Sequence, residues 1–180
     1  MLNELLDCVD KCDIAGVKIA VVHLSSGENA PSLTEVGMNR FKNLVEYAKT
    51  KKVKIAFENQ RKRYNLNWAL ETFSQDDGVG FCWDCGHESC FTPGQKFMPY
   101  FGNRILCTHI HDNSCEYNHD DHWLPFDGAV DFNYVAQELK KVNFDKSLML
   151  EVFAKERVAY FTLENYLSRA YNAVKRLSEI

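Results

Sequence analysis

The stretch VGFCWDCGHESC, residues 79–90, decides how this chain is read. A short apolar run ends in Asp84 and then turns through Gly86 to His87. A carboxylate and an imidazole placed where a strand stops can converge on one metal ion. Four other apolar runs end in the same way: VKIAVV at His23, VKIAF at Glu58, RILCT at His109 and SLML at Glu151. For one strand-end acid, capping the next helix is the ordinary reading. Repetition at five strand ends instead points to a parallel sheet with one functional face.

The segments between these runs carry helical periodicity. Leu2, Leu5, Leu6 and Val9 open the chain at helical spacing, with Gly16 as the exit. Met38, Phe41, Leu44, Val45 and Ala48 form an apolar face on a helix that Ser32 or Thr34 caps and that runs to about Thr50. Helices are also expected around 67–73, weakly at 95–101, from Asp131 through Leu139, and from Thr162 to Leu177. The expected strands are 17–22, 53–57, 79–83, 104–108 and 147–150. Alternation of this kind implies a parallel α/β fold with crossover helices, in one domain over 1–180. No Gly-rich phosphate loop follows any strand, which argues against a dinucleotide-binding fold. A long loop at 113–128 interrupts the rhythm, and loops of that length in compact domains are usually functional.

Composition narrows the partners. The 180 residues are 46% hydrophobic with a net charge of −4, so there is no basic field to attract nucleic acid. No apolar run approaches the roughly 20 residues of a membrane helix, and Met1 begins an amphipathic pattern rather than a signal core. Seven cysteines, several in apolar strands, read as reduced and buried, in keeping with a cytoplasmic protein. Cys82-x-x-Cys85 is read as buried thiols too, since no second pair follows it.

At the strand ends the chain resembles the xylose isomerase-like TIM-barrel superfamily, which includes sugar isomerases and epimerases and the endonuclease IV enzymes. The pieces are IAFEN (55–59), GFCWDCGH (80–87), HIHDN (109–113), the D-D-H at 120–122 with LPFDG-AVDF, and LMLEVF (148–153). The resemblance implies a (β/α) TIM-barrel type fold. It lacks the N-terminal part, leaving about five βα units, the C-terminal five-eighths. It further implies Glu58, Asp84, His109 and Glu151 as metal ligands, with Glu58 and Glu151 as the acid–base pair. His87 matches a residue that contacts substrate or a second metal, and His23, Asp120 and His122 match extra zinc ligands of the endonuclease branch. His111 is a rival to His109.

Three carboxylates and an imidazole favour Mn²⁺, Mg²⁺ or Co²⁺, with Zn²⁺ as the other choice. The expected activity is metal-dependent isomerisation or epimerisation of a sugar or sugar phosphate through an enediolate. The alternatives are an endonuclease IV-type zinc phosphodiesterase on abasic DNA and a non-catalytic remnant. Five parallel strands leave open edges, which predicts a homo-oligomer.

Overall fold

The structure, a computed structural model, describes residues 1–154 and 162–180. Its elements are α1 (Leu2–Ala15), β1 (Ile19–Val22), α2 (Glu35–Thr50), β2 (Lys54–Glu58), α3 (Arg63–Thr72), β3 (Val79–Asp84), α4 (Cys85–Cys90), α5 (Met98–Phe101), β4 (Ile105–His109), α6 (Phe132–Lys141) and α7 (Leu163–Glu179). The sheet order is β1-β2-β3-β4, the order of the sequence. β1 pairs with β2 in parallel from Ile19↔Lys54, and β2 with β3 from Ile55↔Val79 to Glu58↔Cys82. Each crossover between parallel neighbours is made by a helix, as such a connection requires.

Two compact units divide the chain: Met1–Cys82 with Arg104–Leu106, and Trp83–Asn103 with Cys107–Ile180. In the first, α2 lays the predicted stripe of Phe41, Leu44, Val45 and Ala48 into the core. Phe41 meets Phe57 of β2 edge-on at 5.8 Å, and Phe57 stacks on Phe73 at 6.3 Å. Ile55, Ala56, Phe57 and Glu58 are all buried, so β2 is covered on both faces, as parallel strands are. Thr34, not Ser32, caps α2 by accepting from the Gly37 N–H at 3.2 Å. The Arg104 guanidinium donates to the carbonyls of Leu70, Phe73 and Val79 at 2.8–3.0 Å, tying α3 to the strand that follows it.

In the second unit Trp83 is fully buried. Its indole N–H donates to Glu88 Oε2 at 3.1 Å, and the Phe97 N–H and Lys96 Nζ also donate to that carboxylate. Asp131 caps α6 as its sequence position suggests, accepting from the Asn133 and Tyr134 N–H groups. Leu124, Tyr166 and Ala170 form a further apolar cluster with Leu150, Val152 and Ala154.

Two features depart from the sequence reading. The fifth strand, expected at 147–150, is reduced to one parallel bridge, Ile110↔Leu150. The six-residue helix α4 was not expected, because it is shorter than two turns and has no readable periodicity. All seven cysteines are free, with Cys82, Cys85 and Cys90 buried. Among the described residues no helix is long and apolar enough to cross a membrane.

Candidate metal centre

In the first unit the end of β2 delivers Glu58 as a fully buried carboxylate. His23, just past β1, places Nε2 at 3.0 Å from Glu58 Oε2. Gln60 reaches Glu58 Oε1 and His23 Nε2, both at 3.4 Å. Gln60 was not singled out from the sequence, where an amide two residues beyond a strand-end acid carries no signal.

In the second unit Asp84 closes β3 and caps α4. Its Oδ1 accepts from the His87 N–H at 2.6 Å and also lies 3.0 Å from His111 Nε2. The carboxylate that caps α4 is therefore also the one that faces His111. At the end of β4, His109 Nδ1 lies 2.9 Å from Glu151 Oε2. Asp84, His109 and Glu151 each bring a ligand atom within 4.8 Å of the other two.

A second group forms beside Asp84. His87, His111, Asp120 and His122 bring four ligand atoms within 4.8 Å of one another. Asp120 Oδ2 lies 3.3 Å from His87 Nε2 and 3.2 Å from His122 Nε2, and Asp120 Oδ1 lies 3.7 Å from His111 Nε2. His111 stacks on His122 with ring centres 4.2 Å apart. His122 Nδ1 lies 2.7 Å from the Glu151 carbonyl oxygen, so Nδ1–H donates there and Nε2 is directed at Asp120. His109 thus faces Glu151, and its rival His111 faces Asp84 and Asp120.

The electrostatics of this group give it a pH signature. Burial lowers the His122 pKa, but its bonds to Asp120 and to the Glu151 carbonyl outweigh that and raise it above 6.5. For Asp120 burial raises the pKa, and the hydrogen bonds from His122 and His87 more than offset it, holding the carboxyl well below the usual range. A raised histidine pKa stabilises the fold fully below its unfolded value and is lost as pH rises through the folded value. The lowered Asp120 stabilises above its unfolded value and is lost as pH falls through the folded one. The chelator-treated protein is therefore expected to lose thermal stability as pH rises above the ordinary histidine value of about 6.5. Unfolding scans should show a shallower loss in His122→Gln, and an equal slope in both proteins would contradict the assignment.

Residues 2–176 match the sequence profile of the xylose isomerase-like TIM barrel family. The chain belongs to that family. Its xylose isomerase-like fold is shared with the IolI protein, solved with a zinc atom, at a TM-score of 0.75 and 20% identity over 97% of this chain and 68% of that one. It is shared too with D-psicose 3-epimerase from Clostridium cellulolyticum H10, solved with D-tagatose, at a TM-score of 0.76 and 9% identity, covering 99% and 70%. Protein y4fM of Sinorhizobium fredii is 29% identical over 96% of this chain and 58% of its own length. The chain thus spans less than two thirds of that curated relative.

The xylose isomerase-like chain presents donors suited to a divalent cation. His111 Nε2, Asp120 Oδ1 and Glu151 Oε2 are buried without a hydrogen bond among the described residues, although each lies close to an atom of complementary type. Lone pairs gathered in this way are what a cation at bond lengths of about 2.0–2.2 Å would satisfy. The His122 Nδ1 bond to a carbonyl is the outer support that metal-bound imidazoles usually have.

Proposed function

We propose that this chain carries the site of a metal-dependent sugar or sugar-phosphate isomerase or epimerase. The observation behind this reading is the convergence of Asp84, His109 and Glu151 within 4.8 Å, in a member of the xylose isomerase-like family. Glu58 is assigned as the fourth ligand because it ends the strand beside β3, in register with Cys82. Such a set suits Mn²⁺, Mg²⁺, Co²⁺ or Zn²⁺.

A cation held by these residues would supply Lewis-acid polarisation of a substrate carbonyl and its neighbouring hydroxyl. Proton movement belongs to the chain's own carboxylates. Glu58 and Glu151 are assigned as acid and base, one for each face of the sugar. One removes the proton from the carbon beside the carbonyl, and the other returns a proton to the opposite face or to the adjacent carbon. His23 at 3.0 Å and Gln60 at 3.4 Å hold the two oxygens of Glu58 in a fixed orientation. Such a carboxylate reaches the transition state with little rearrangement.

The group of His87, His111, Asp120 and His122 favours a second reading, an endonuclease IV-type phosphodiesterase with several zinc ions. We give it second place for a chemical reason. Three imidazoles and a carboxylate, if all were bound to one zinc, would fill its usual four positions and leave none for a phosphate oxygen or attacking water. The net charge of −4 also repels DNA. Incubation in D₂O with D-tagatose, other ketohexoses and their phosphates distinguishes the two readings. Deuterium at the carbon beside the carbonyl is expected, and cleavage of an abasic-site duplex without sugar exchange would contradict the proposal. β1 ends the sheet order, and its outer edge is the surface through which we propose that the chain self-associates.

A further inference from the structure

The loop that carries Asp120 and His122 runs from Asn113 to Val130, just before α6, and it depends on one buried carboxylate. Asp112 is fully buried. Its Oδ1 accepts from the Asn113 N–H at 2.8 Å and the Val130 N–H at 3.0 Å, and its Oδ2 accepts from the Gly128 N–H at 2.7 Å. One side chain therefore joins the first residue of the loop to two residues at its far end. The backbone of Asp112 also exchanges two hydrogen bonds with Trp123, at 2.8 and 2.9 Å, next to His122. Gly128 allows the closure, since a Cβ there would stand 2.4 Å from the Asn113 carbonyl oxygen and 2.5 Å from Asp112 Oδ1. Between these ties the loop holds four non-glycine residues at positive φ: Cys115, Asn118, His122 and Phe126. Backbone of that kind persists only where its surroundings over-determine it.

We propose that Asp112 is the positioning residue of the second ligand set. It holds Asp120 and His122 in place through the loop's backbone. The proposal rests on reading the four-residue group as a metal site. Charge-assisted bonds from backbone amides to a buried carboxylate are strong, and an alanine would leave three N–H groups without their acceptor.

Zinc titration of the metal-free full chain, with amide hydrogen exchange on the same samples, tests it. In Asp112→Ala the second zinc is expected to bind about 10–100-fold more weakly while the first is retained. The Gly128 and Val130 amides should exchange about 10–100-fold faster. Asp112→Asn and Gly128→Ala disturb the same junction with smaller changes of volume and decide the matter if the alanine variant does not fold. Both are expected to weaken the second zinc selectively. Arg169→Ala, which removes the tie of Asp127 to α7, should leave it unchanged. Wild-type zinc affinity at both sets in all three junction variants would overturn the role given to Asp112. A wild-type chain that takes up a single zinc would overturn the second set itself, and Asp112's role in it.

Discussion

Glu151→Gln is expected to slow deuterium exchange into a turned-over ketose by about 10²–10⁴-fold, the usual contribution of a positioned acid or base. The amide has nearly the size of the carboxylate, so packing near Leu150 and Val152 is kept, but it cannot take a proton at neutral pH. Glu151 Oε2 sits 2.9 Å from His109 Nδ1, so the substitution also replaces one atom of the proposed ligand set. Metal is therefore supplied in excess, which separates loss of the base from loss of the ion. Proton NMR in D₂O reads the rate directly. A variant exchanging at the wild-type rate would mean that Glu151 is not the base and that another residue moves the proton.

The second large effect is expected at a glycine. A Cβ on Gly86 would lie 2.0 Å from Cε1 and 2.3 Å from Nε2 of the His111 ring. No rotamer change at position 86 relieves this, because Cβ is fixed by the backbone. His111 is fully buried and stacked on His122, so its ring has no free side to move toward. Overpacking of that severity costs about 1–3 kcal/mol and displaces the imidazole from Asp84 and Asp120. Gly86→Ala should therefore lower Tm and abolish stoichiometric binding at the second set. Gly86→Ala combined with His111→Ala should recover most of the stability but not the metal. Recovery of neither, or no loss in the single variant, would contradict the geometry of the ring.

These two positions mark where the sequence could and could not be read. Asp84, His109 and Glu151 were legible because each closes an apolar run, and a repeat at strand ends stands out against helix capping. The stripe of Phe41, Leu44, Val45 and Ala48 was legible for a related reason, since helical spacing survives in one dimension. α4 was not, because six residues after a cap hold too few turns to show a period. His111 reads as a competitor of His109 because residues two apart share a strand face, and only the fold shows that one ring faces Glu151 and the other Asp84 and Asp120. Asp112 gave no sign of its role. Its three amide partners span Asn113 to Val130, and nothing in the spacing announces that closure. Gly86 was read as a turn, whereas what demands a glycine is the ring of a residue far along the chain.

The central claim is that the strand ends hold a divalent cation, and elemental analysis tests it most directly. Wild type and Asp84→Ala are freed of metal with chelator, incubated with Mn²⁺, Co²⁺ or Zn²⁺, and dialysed. Wild type is expected to retain metal, with two equivalents of zinc when both sets fill, and Asp84→Ala should lose the ion held with His109 and Glu151. A correctly folded wild-type chain that retains none of the three metals would contradict the account.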